Sequence, residues 1–207
     1  NLRCPGCWVK HSHGLSTAGA IEVMDAGILK RTLRFGRNMG ISRISLLGGE
    51  PTLHPELSEI IKKAYSLGYE RVSITTNGVF ASSKIEELAS SGLSNISFSI
   101  DGSTPEMHNM IRPSMNGKDT FSVTINNLRK AIIYSKEYGF TVTVNHTIFP
   151  ANFHDTESMI RFVASIGVKR CRLHFTFPGD GERNVDVKDA RTYSQDNGTY
   201  IMPEDWL

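Results

Sequence analysis

Short apolar runs, each closed by a turn signal, recur along this chain. They cover residues 41–47, 71–76, 95–100, 140–149 and 169–177, and valine, isoleucine, threonine and phenylalanine are frequent in them. A glycine or a proline follows every run within two residues. Runs of this length and content, bounded in this way, predict five β-strands.

A helical pattern precedes each of these runs. Apolar residues recur at a spacing of three or four in residues 20–39, 55–67, 82–91, 119–138 and 154–166, and a glycine follows each segment at once or one residue later. Apolar spacing near 3.6 residues with a glycine at the end is typical of an amphipathic helix and its stop. The order is therefore helix then strand, five times.

Strands separated by one helix each pair in parallel through right-handed crossovers. The pattern predicts an α/β fold, and a doubly wound sheet and a barrel both satisfy it. In either fold, ligands bind at the carboxyl ends of the strands. Four of the five predicted ends carry polar or charged groups, namely Gly48-Gly49-Glu50, Thr76-Asn77, Ser99 with Asp101, and Asn145. We therefore expect a small-molecule site at this edge of the sheet.

Composition narrows the class of protein. The chain has 207 residues, with 23 Lys and Arg against 21 Asp and Glu, and 39% of its residues are hydrophobic. These proportions are ordinary for a globular domain, and the near balance of charge argues against a nucleic-acid partner. No apolar run approaches the roughly 20 residues of a membrane span, so we expect no membrane partner. Three cysteines cannot form a disulfide framework, which favours a reducing, cytoplasmic setting.

Cys4 and Cys7 lie two residues apart in a Pro-Gly turn, a spacing that lets two thiolates reach one metal centre. A zinc site would need two more ligands, and His11 and His13 are the nearest candidates. A redox pair is a further alternative, although such a pair should follow a strand and open a helix. Taken alone, the cysteines favour zinc among these possibilities.

Four motifs together resemble the radical S-adenosylmethionine (radical SAM) enzymes. The segment Asn1-Leu-Arg-Cys4-Pro-Gly-Cys7-Trp8 is similar to their cluster loop, Cys-x-x-x-Cys-x-x-Cys, whose first cysteine would fall immediately before Asn1. Gly-Gly-Glu-Pro occurs at 48–51 and Thr-Asn-Gly at 76–78. Ser-x-Asp-Gly at 99–102 is followed by His108 and by Ile111-Arg112. The resemblance extends over nearly the whole chain, and the motifs occur in the family's order.

The resemblance implies an incomplete parallel (β/α)6 TIM-like barrel whose first strand precedes residue 1. On this hypothesis the chain is an internal fragment, in which residues 1–200 form the barrel domain and 201–207 begin a C-terminal extension. It also implies two cofactors, a [4Fe–4S] cluster and S-adenosylmethionine. A low-potential reductant such as flavodoxin or ferredoxin would be a partner.

Roles for individual residues follow from the same resemblance. Cys4 and Cys7 would ligate the cluster and so act as metal-binding and catalytic residues. Gly48 and Gly49 would let the backbone approach the cofactor, and Glu50 would accept a hydrogen bond from its ammonium group. The cofactor's carboxylate and ribose or adenine would be held by a larger set of residues, namely Thr76, Asn77, Ser99, Asp101, Arg112 and Asn145.

The predicted activity is reductive cleavage of S-adenosylmethionine to a 5′-deoxyadenosyl radical, which abstracts hydrogen from a substrate. The substrate is not predicted beyond a small molecule or a peptide. Two alternatives remain: a zinc-binding module built on Cys4, Cys7, His11 and His13, and a homologue that binds S-adenosylmethionine without turnover. The zinc module accounts for the cysteines but not for the motifs at the strand ends.

Overall fold

The computed structural model describes residues 1–4, 7 and 23–175 as an α/β fold. Five parallel strands form one sheet in the order β1-β2-β3-β4-β5. Their bounds are Arg43–Leu46 (β1), Arg71–Thr76 (β2), Asn95–Ser99 (β3), Thr141–Ile148 (β4) and Cys171–Phe175 (β5).

Helices connect the strands. The α-helices are Ala26–Asn38 (α1), Leu57–Ser66 (α2), Lys84–Ala89 (α3), Pro105–Ile111 (α4), Thr120–Tyr138 (α5) and Thr156–Ser165 (α6). Short 3-10 turns lie at Pro51–Leu53 and Phe153–Asp155. No helix among the described residues has both the length and the apolar content needed to cross a bilayer.

Spatial order in the sheet equals order in the chain, and every neighbouring pair is parallel. With right-handed crossovers, such an order places all the connecting helices on one side of the sheet. A doubly wound sheet reverses direction and covers both sides, so the structure excludes that alternative. The result is a half-barrel with its helices outside.

The outer face of the sheet carries the hydrophobic core. Side chains that alternate along the strands, such as Ile74, Ile96 and Val144, pack fully buried beneath the helices. Helix residues of the same cluster include Ile61 of α2 and Leu128 of α5, both fully buried. Burial of each such side chain stabilises the fold by about 1.5–3 kcal/mol, which fixes strand register against a one-residue slip.

The inner face of the sheet, which points away from the helices, is polar throughout. The strand register and the alternation of side chains along each strand show which residues lie on this face. Within the strand limits it carries no carboxylate and no apolar side chain. Its members are Arg43 and Ser45 of β1, Arg71, Ser73 and Thr75 of β2, Asn95, Ser97 and Ser99 of β3, Thr141, Thr143, Asn145 and Thr147 of β4, and Arg172 and His174 of β5. A polar inner face fits a site for a polar ligand rather than a packed barrel core.

Local signals explain where the helices begin. The side chain of Asp25 accepts a hydrogen bond from the Ile28 backbone N–H at 2.8 Å, which caps α1. Thr104 caps α4, and Pro105 occupies the first helical position with its φ already suited to a helix. The Thr104 cap fixes where α4 begins after the end of β3.

The sequence predicted all five strands to within three residues at either end among the described positions. Helix α1 begins at Ala26 rather than at residue 20, and residues 23–25 are not helical. Helix α4 was not predicted as a separate element, because seven residues are too few to show helical periodicity. Residues 176 and 177 of the last predicted strand, and the predicted domain limits at 200 and 201–207, lie outside the described residues.

Candidate functional site

The carboxyl edge of the sheet brings the predicted site residues to one region. Ser99 of β3 is in register with Asn145 of β4, which is in register with Arg172 of β5. These three inner-face residues are called the polar row below. Deeper in the sheet, inner-face groups bond one another: Thr143 Oγ1 donates to Asn95 Oδ1 at 2.8 Å.

The polar row differs from the residues beneath it, because its hydrogen-bonding groups lack partners. Asn145 Oδ1 is buried and accepts no hydrogen bond from any described residue. Ser99 is half-buried, and its Oγ forms no hydrogen bond within the described part of the chain. Since buried polar atoms are normally paired, the row is suited to a ligand that supplies the missing donors and acceptors.

Glu50 lies at the end of β1 and joins it to the end of β2. Its Oε1 accepts from Thr52 Oγ1 at 2.6 Å and from Thr76 Oγ1 at 2.6 Å. Its Oε2 accepts one hydrogen bond, from the Asn77 backbone N–H at 2.7 Å. Oε2 therefore keeps a lone pair for a further donor, whereas Oε1 also accepts from the Thr52 N–H and is saturated.

The cysteine segment, residues 1–4 and 7, is held from two sides. On one side Asn1 Oδ1 accepts from Asn77 Nδ2 at 3.0 Å, and Asn1 Nδ2 donates to the Val79 carbonyl at 2.8 Å. On the other side Leu2 forms an antiparallel bridge with Ser114. The segment is thus fixed between the loop after β2 and the loop after α4.

Cys4 and Cys7 lie on one turn, in which the Cys7 backbone N–H donates to the Cys4 carbonyl at 3.2 Å. Both thiols are free and partly buried. Burial raises the pKa of the Cys4 thiol above its usual value, and the positive charge of Arg112 partly offsets that effect. Among the described residues, no group of three or more His, Cys, Asp and Glu side chains could hold a metal ion.

Buried Asp101 and half-buried Arg112 form an ion pair at the end of β3. Arg112 Nε donates to Asp101 Oδ2 at 2.6 Å, and the Thr147 N–H donates to Oδ1 at 2.7 Å. Burial disfavours the charge of Arg112, but Asp101 and the sulfurs of Cys4 and Cys7 outweigh this effect and raise the pKa of the guanidinium. Both carboxylate oxygens of Asp101 therefore already accept hydrogen bonds within the protein. A contact between Asp101 and the ribose of the cofactor stays a prediction.

Two histidines pack behind the ion pair. Nδ1 of His108 accepts from the Asp101 backbone N–H at 3.3 Å, and burial, with Arg112 nearby, lowers the pKa of His108 to about 4. His146 points to the outer face, where it contacts Thr156 Oγ1 at 3.2 Å. Its burial lowers the pKa of that imidazole as well. Both rings are therefore neutral structural groups at neutral pH.

Gly48 and Gly49 line an open approach to this region. A Cβ atom at either position would meet no atom within 4 Å, so space is left beside the backbone. Gly48 has φ of +153°, a conformation that residues with a side chain rarely adopt. The open backbone suits close approach of a ligand next to Glu50.

The expected cofactors fit these residues. Soft thiolates on a short loop suit an iron–sulfur cluster, and Cys4 and Cys7 provide two of them. Beside them lie a carboxylate with a free lone pair, the Arg112 guanidinium, and the unpaired Asn145 oxygen. The carboxylate can accept a hydrogen bond from an ammonium group, and the guanidinium can pair with a carboxylate. The Asn145 oxygen can accept from a neutral polar group of the same ligand.

Sequence reasoning missed residues whose roles depend on distant contacts. The sequence motif indicates no role for Asn1 beyond its place next to the cysteines, although its side chain fastens their segment. Asn152 is fully buried and donates to the Asp101 and Thr147 carbonyls at 2.9 Å each. Arg172 joins the polar row only through strand register, which the sequence does not specify.

Comparisons with known proteins agree with this geometry. The sequence profile described as the radical SAM superfamily matches residues 1–163. A GTP 3′,8-cyclase of Aquifex aeolicus (strain VF5) is 34% identical over 81% of this chain and 51% of its own length. An S-adenosylmethionine-dependent nucleotide dehydratase of Flammeovirga pacifica is 29% identical over 97% of this chain and 67% of its own length.

A solved structure, native anSMEcpe with bound AdoMet and a Kp18Cys peptide, shares the fold with a TM-score of 0.68. It is 19% identical, and the match covers 95% of this chain and 55% of that one. The predicted incomplete α/β barrel is therefore confirmed. The chain spans about half the length of the Aquifex relative and about two thirds of the Flammeovirga relative.

Proposed function

We propose, because this chain belongs to the radical SAM superfamily, that the whole protein is an enzyme that cleaves S-adenosylmethionine reductively. The family's cofactors are a [4Fe–4S] cluster and S-adenosylmethionine, and AdoMet is bound in the related fold. When bound and reduced, the cluster would supply one electron to the sulfonium of S-adenosylmethionine, and C–S cleavage would give methionine and a 5′-deoxyadenosyl radical that abstracts hydrogen from substrate.

The chain's own residues bind and orient in this proposal. Cys4 and Cys7 hold the cluster on a segment that is fastened at both sides. Glu50 Oε2 accepts from the ammonium of S-adenosylmethionine beside Gly48 and Gly49, and Arg112 faces the carboxylate. Asp101 keeps Arg112 in place through the 2.6 Å ion pair.

Further residues at the carboxyl edge complete the proposed cofactor site. Ser99 and Asn145, which lack partners among the described residues, bond the carboxylate and the ribose or adenine. Thr76 and Asn77 support Glu50 at the end of β2, and we assign them a share of these contacts. The single observation that carries the proposal is the convergence of unpaired polar groups beside two thiols.

A nucleotide is the substrate class that we favour. The GTP 3′,8-cyclase and the nucleotide dehydratase are both named for nucleotide chemistry, and the inner face of this sheet carries cations but no carboxylate. A peptide is the second candidate, since the related fold of anSMEcpe holds one. Flavodoxin or ferredoxin would supply electrons, in a cytoplasmic setting that keeps the thiols reduced.

The test is release of 5′-deoxyadenosine by the full-length protein, reconstituted with iron and sulfide without oxygen and reduced with dithionite. We expect slow release without substrate, because electron transfer to the sulfonium does not require substrate to be bound. Chromatography after addition of S-adenosylmethionine detects the product. No release from protein with an intact cluster would support the non-catalytic binder and contradict the proposal.

A further inference from the structure

A guanidinium and an imidazole stand on the inner face of β5 next to the proposed cofactor site. Arg172 is in register with Asn145, and His174 is in register with Thr147 one step further toward the carboxyl edge. Both side chains are exposed in the open half-barrel. The basic end of the polar row therefore faces the space that a ligand of the half-barrel would occupy.

No carboxylate pairs with these two side chains within the described residues. Arg172 and His174 form neither an ion pair nor a side-chain hydrogen bond there. Three carboxylates at the carboxyl edge are engaged elsewhere: Asp101 with Arg112, Glu50 with the end of β2, and Asp155 with Ser103. An anion at β5 would thus meet unpaired donors without a repelling neighbour.

The remaining inner-face arginines are too distant to share this ligand. Arg43 and Arg71 are in register with each other at the amino ends of β1 and β2. At about 3.3 Å per residue, the six residues from Arg71 to the level of the polar row span roughly 20 Å. The anion site is therefore local to Arg172 and His174.

We propose that Arg172 and His174 bind the phosphate groups of the substrate. The inference rests on the proposed function and deepens it, since it assigns the anionic end of a nucleotide to β5. A guanidinium presents paired N–H donors that match two phosphate oxygens, and an imidazole adds another donor. Phosphate on β5 would direct the rest of the molecule toward the cofactor that Asn145 and Ser99 hold in the proposed function.

Binding measurements on the full-length, reconstituted protein with S-adenosylmethionine present test this assignment. The probes are GTP, inorganic triphosphate and guanosine, which separate phosphate recognition from base recognition. We expect both phosphorylated probes to bind more tightly than guanosine, and their binding to weaken as salt rises. Arg172→Gln should weaken binding of GTP and inorganic triphosphate by roughly ten- to a hundredfold.

Two further variants make the result specific. Arg172→Lys keeps the charge without the paired donors and should recover part of the lost affinity. Arg129→Gln removes one positive charge from an exposed position on α5 and should bind both phosphates like the unaltered protein. Unchanged phosphate affinity in Arg172→Gln, or phosphates that bind no better than guanosine, would overturn the assignment. Release of 5′-deoxyadenosine in the same preparation reports separately on the proposed function.

Discussion

At the residue scale, Glu50 shows how one carboxylate serves both fold and site. Oε1 accepts from Thr52 and Thr76 and so ties two strand ends together, while Oε2 keeps a free lone pair. The Gly-Gly-Glu motif in the sequence predicted a ligand contact at this position. It did not predict the structural contacts, because these depend on a hydroxyl from the next strand.

Replacement of Glu50 by glutamine tests the ligand role. Glu50→Gln keeps an oxygen for the threonine hydroxyls but loses the acceptor for the Asn77 N–H and the negative charge that would face an ammonium. We expect affinity for S-adenosylmethionine to fall by about ten- to a hundredfold, the effect of roughly 1.5–3 kcal/mol for a hydrogen bond to a charged group. Titration of the reconstituted protein measures it, with Glu56→Gln on the exposed start of α2 as control.

Iron content should stay unchanged in Glu50→Gln, because Glu50 is not a cluster ligand in this account. Affinity equal to that of the unaltered protein would mean that Glu50 serves only the junction of β1 and β2.

Neutral His108 predicts a loss of stability in mild acid. Its pKa is about 4 in the folded protein, against about 6.5 in the unfolded chain. As pH falls from 6.5 to 4, the His108 imidazole is protonated in the unfolded chain before it is protonated in the folded protein. Its contribution to the free energy of unfolding is therefore fully present above pH 6.5 and is lost progressively below it. At pH 5 this group alone should lower the free energy of unfolding by about 2 kcal/mol.

Urea denaturation at pH 7 and pH 5 measures this decline. His108→Gln should show a smaller decline than the unaltered protein, and His154→Gln, at an exposed position, should show the same decline as the unaltered protein. An equal decline in all three proteins would show that His108 is not the group responsible.

At the element scale, the site depends on how loops are fastened to strand ends. Helix and strand limits follow from local periodicity, so the sequence predicted them well. The fastening of the cysteine segment by Asn1 and Asn77 links residues 76 positions apart, and no local pattern reveals it. The same holds for Asn152, which fixes the loop after β4 to the end of β3.

Loss of the Asn1 contacts should loosen the cysteine segment. Asn1→Ala removes two side-chain hydrogen bonds, each worth about 0.5–1.5 kcal/mol. We expect the cluster to assemble but to lose iron to a chelator about tenfold faster. Asn116→Ala, in an exposed turn, is the control and should lose iron at the normal rate. Equal rates in both variants would contradict a fastening role for Asn1.

The loop after β2 depends on Gly78 for both conformation and space. Its φ is +79°, and a Cβ there would lie 2.6 Å from Thr124 Cγ2 and 3.0 Å from a carbon of Phe98. Gly40 has a similar φ of +85° but open space around it. Gly78→Ala should therefore destabilise the fold by about 2 kcal/mol more than Gly40→Ala, which bears only the conformational cost.

Urea denaturation of the two alanine variants gives this difference directly. Equal losses of stability would mean that Thr124 and Phe98 move aside without cost, and that packing does not fix the loop after β2.

At the scale of the whole molecule, the half-barrel has an apolar outer face and a polar inner face. The periodicity of the sequence predicted parallel strands and a site at their carboxyl ends but left a barrel and a doubly wound sheet equally possible, and only the resemblance to radical SAM enzymes predicted the barrel. Strand order decides between them, and it depends on tertiary packing. The polar row could not be predicted either, because Ser99, Asn145 and Arg172 become neighbours only through register.

The most direct test of the account is the metal content of the full-length protein purified without oxygen. A [4Fe–4S] cluster predicts about four irons and four sulfides per chain and no zinc. Cys4→Ala and Cys7→Ala should each lose most of that iron and sulfide, whereas Cys171→Ala, on the outer side of β5, should retain it. Zinc without sulfide, or full iron and sulfide in both Cys4→Ala and Cys7→Ala, would contradict the assignment of this edge as a cluster site.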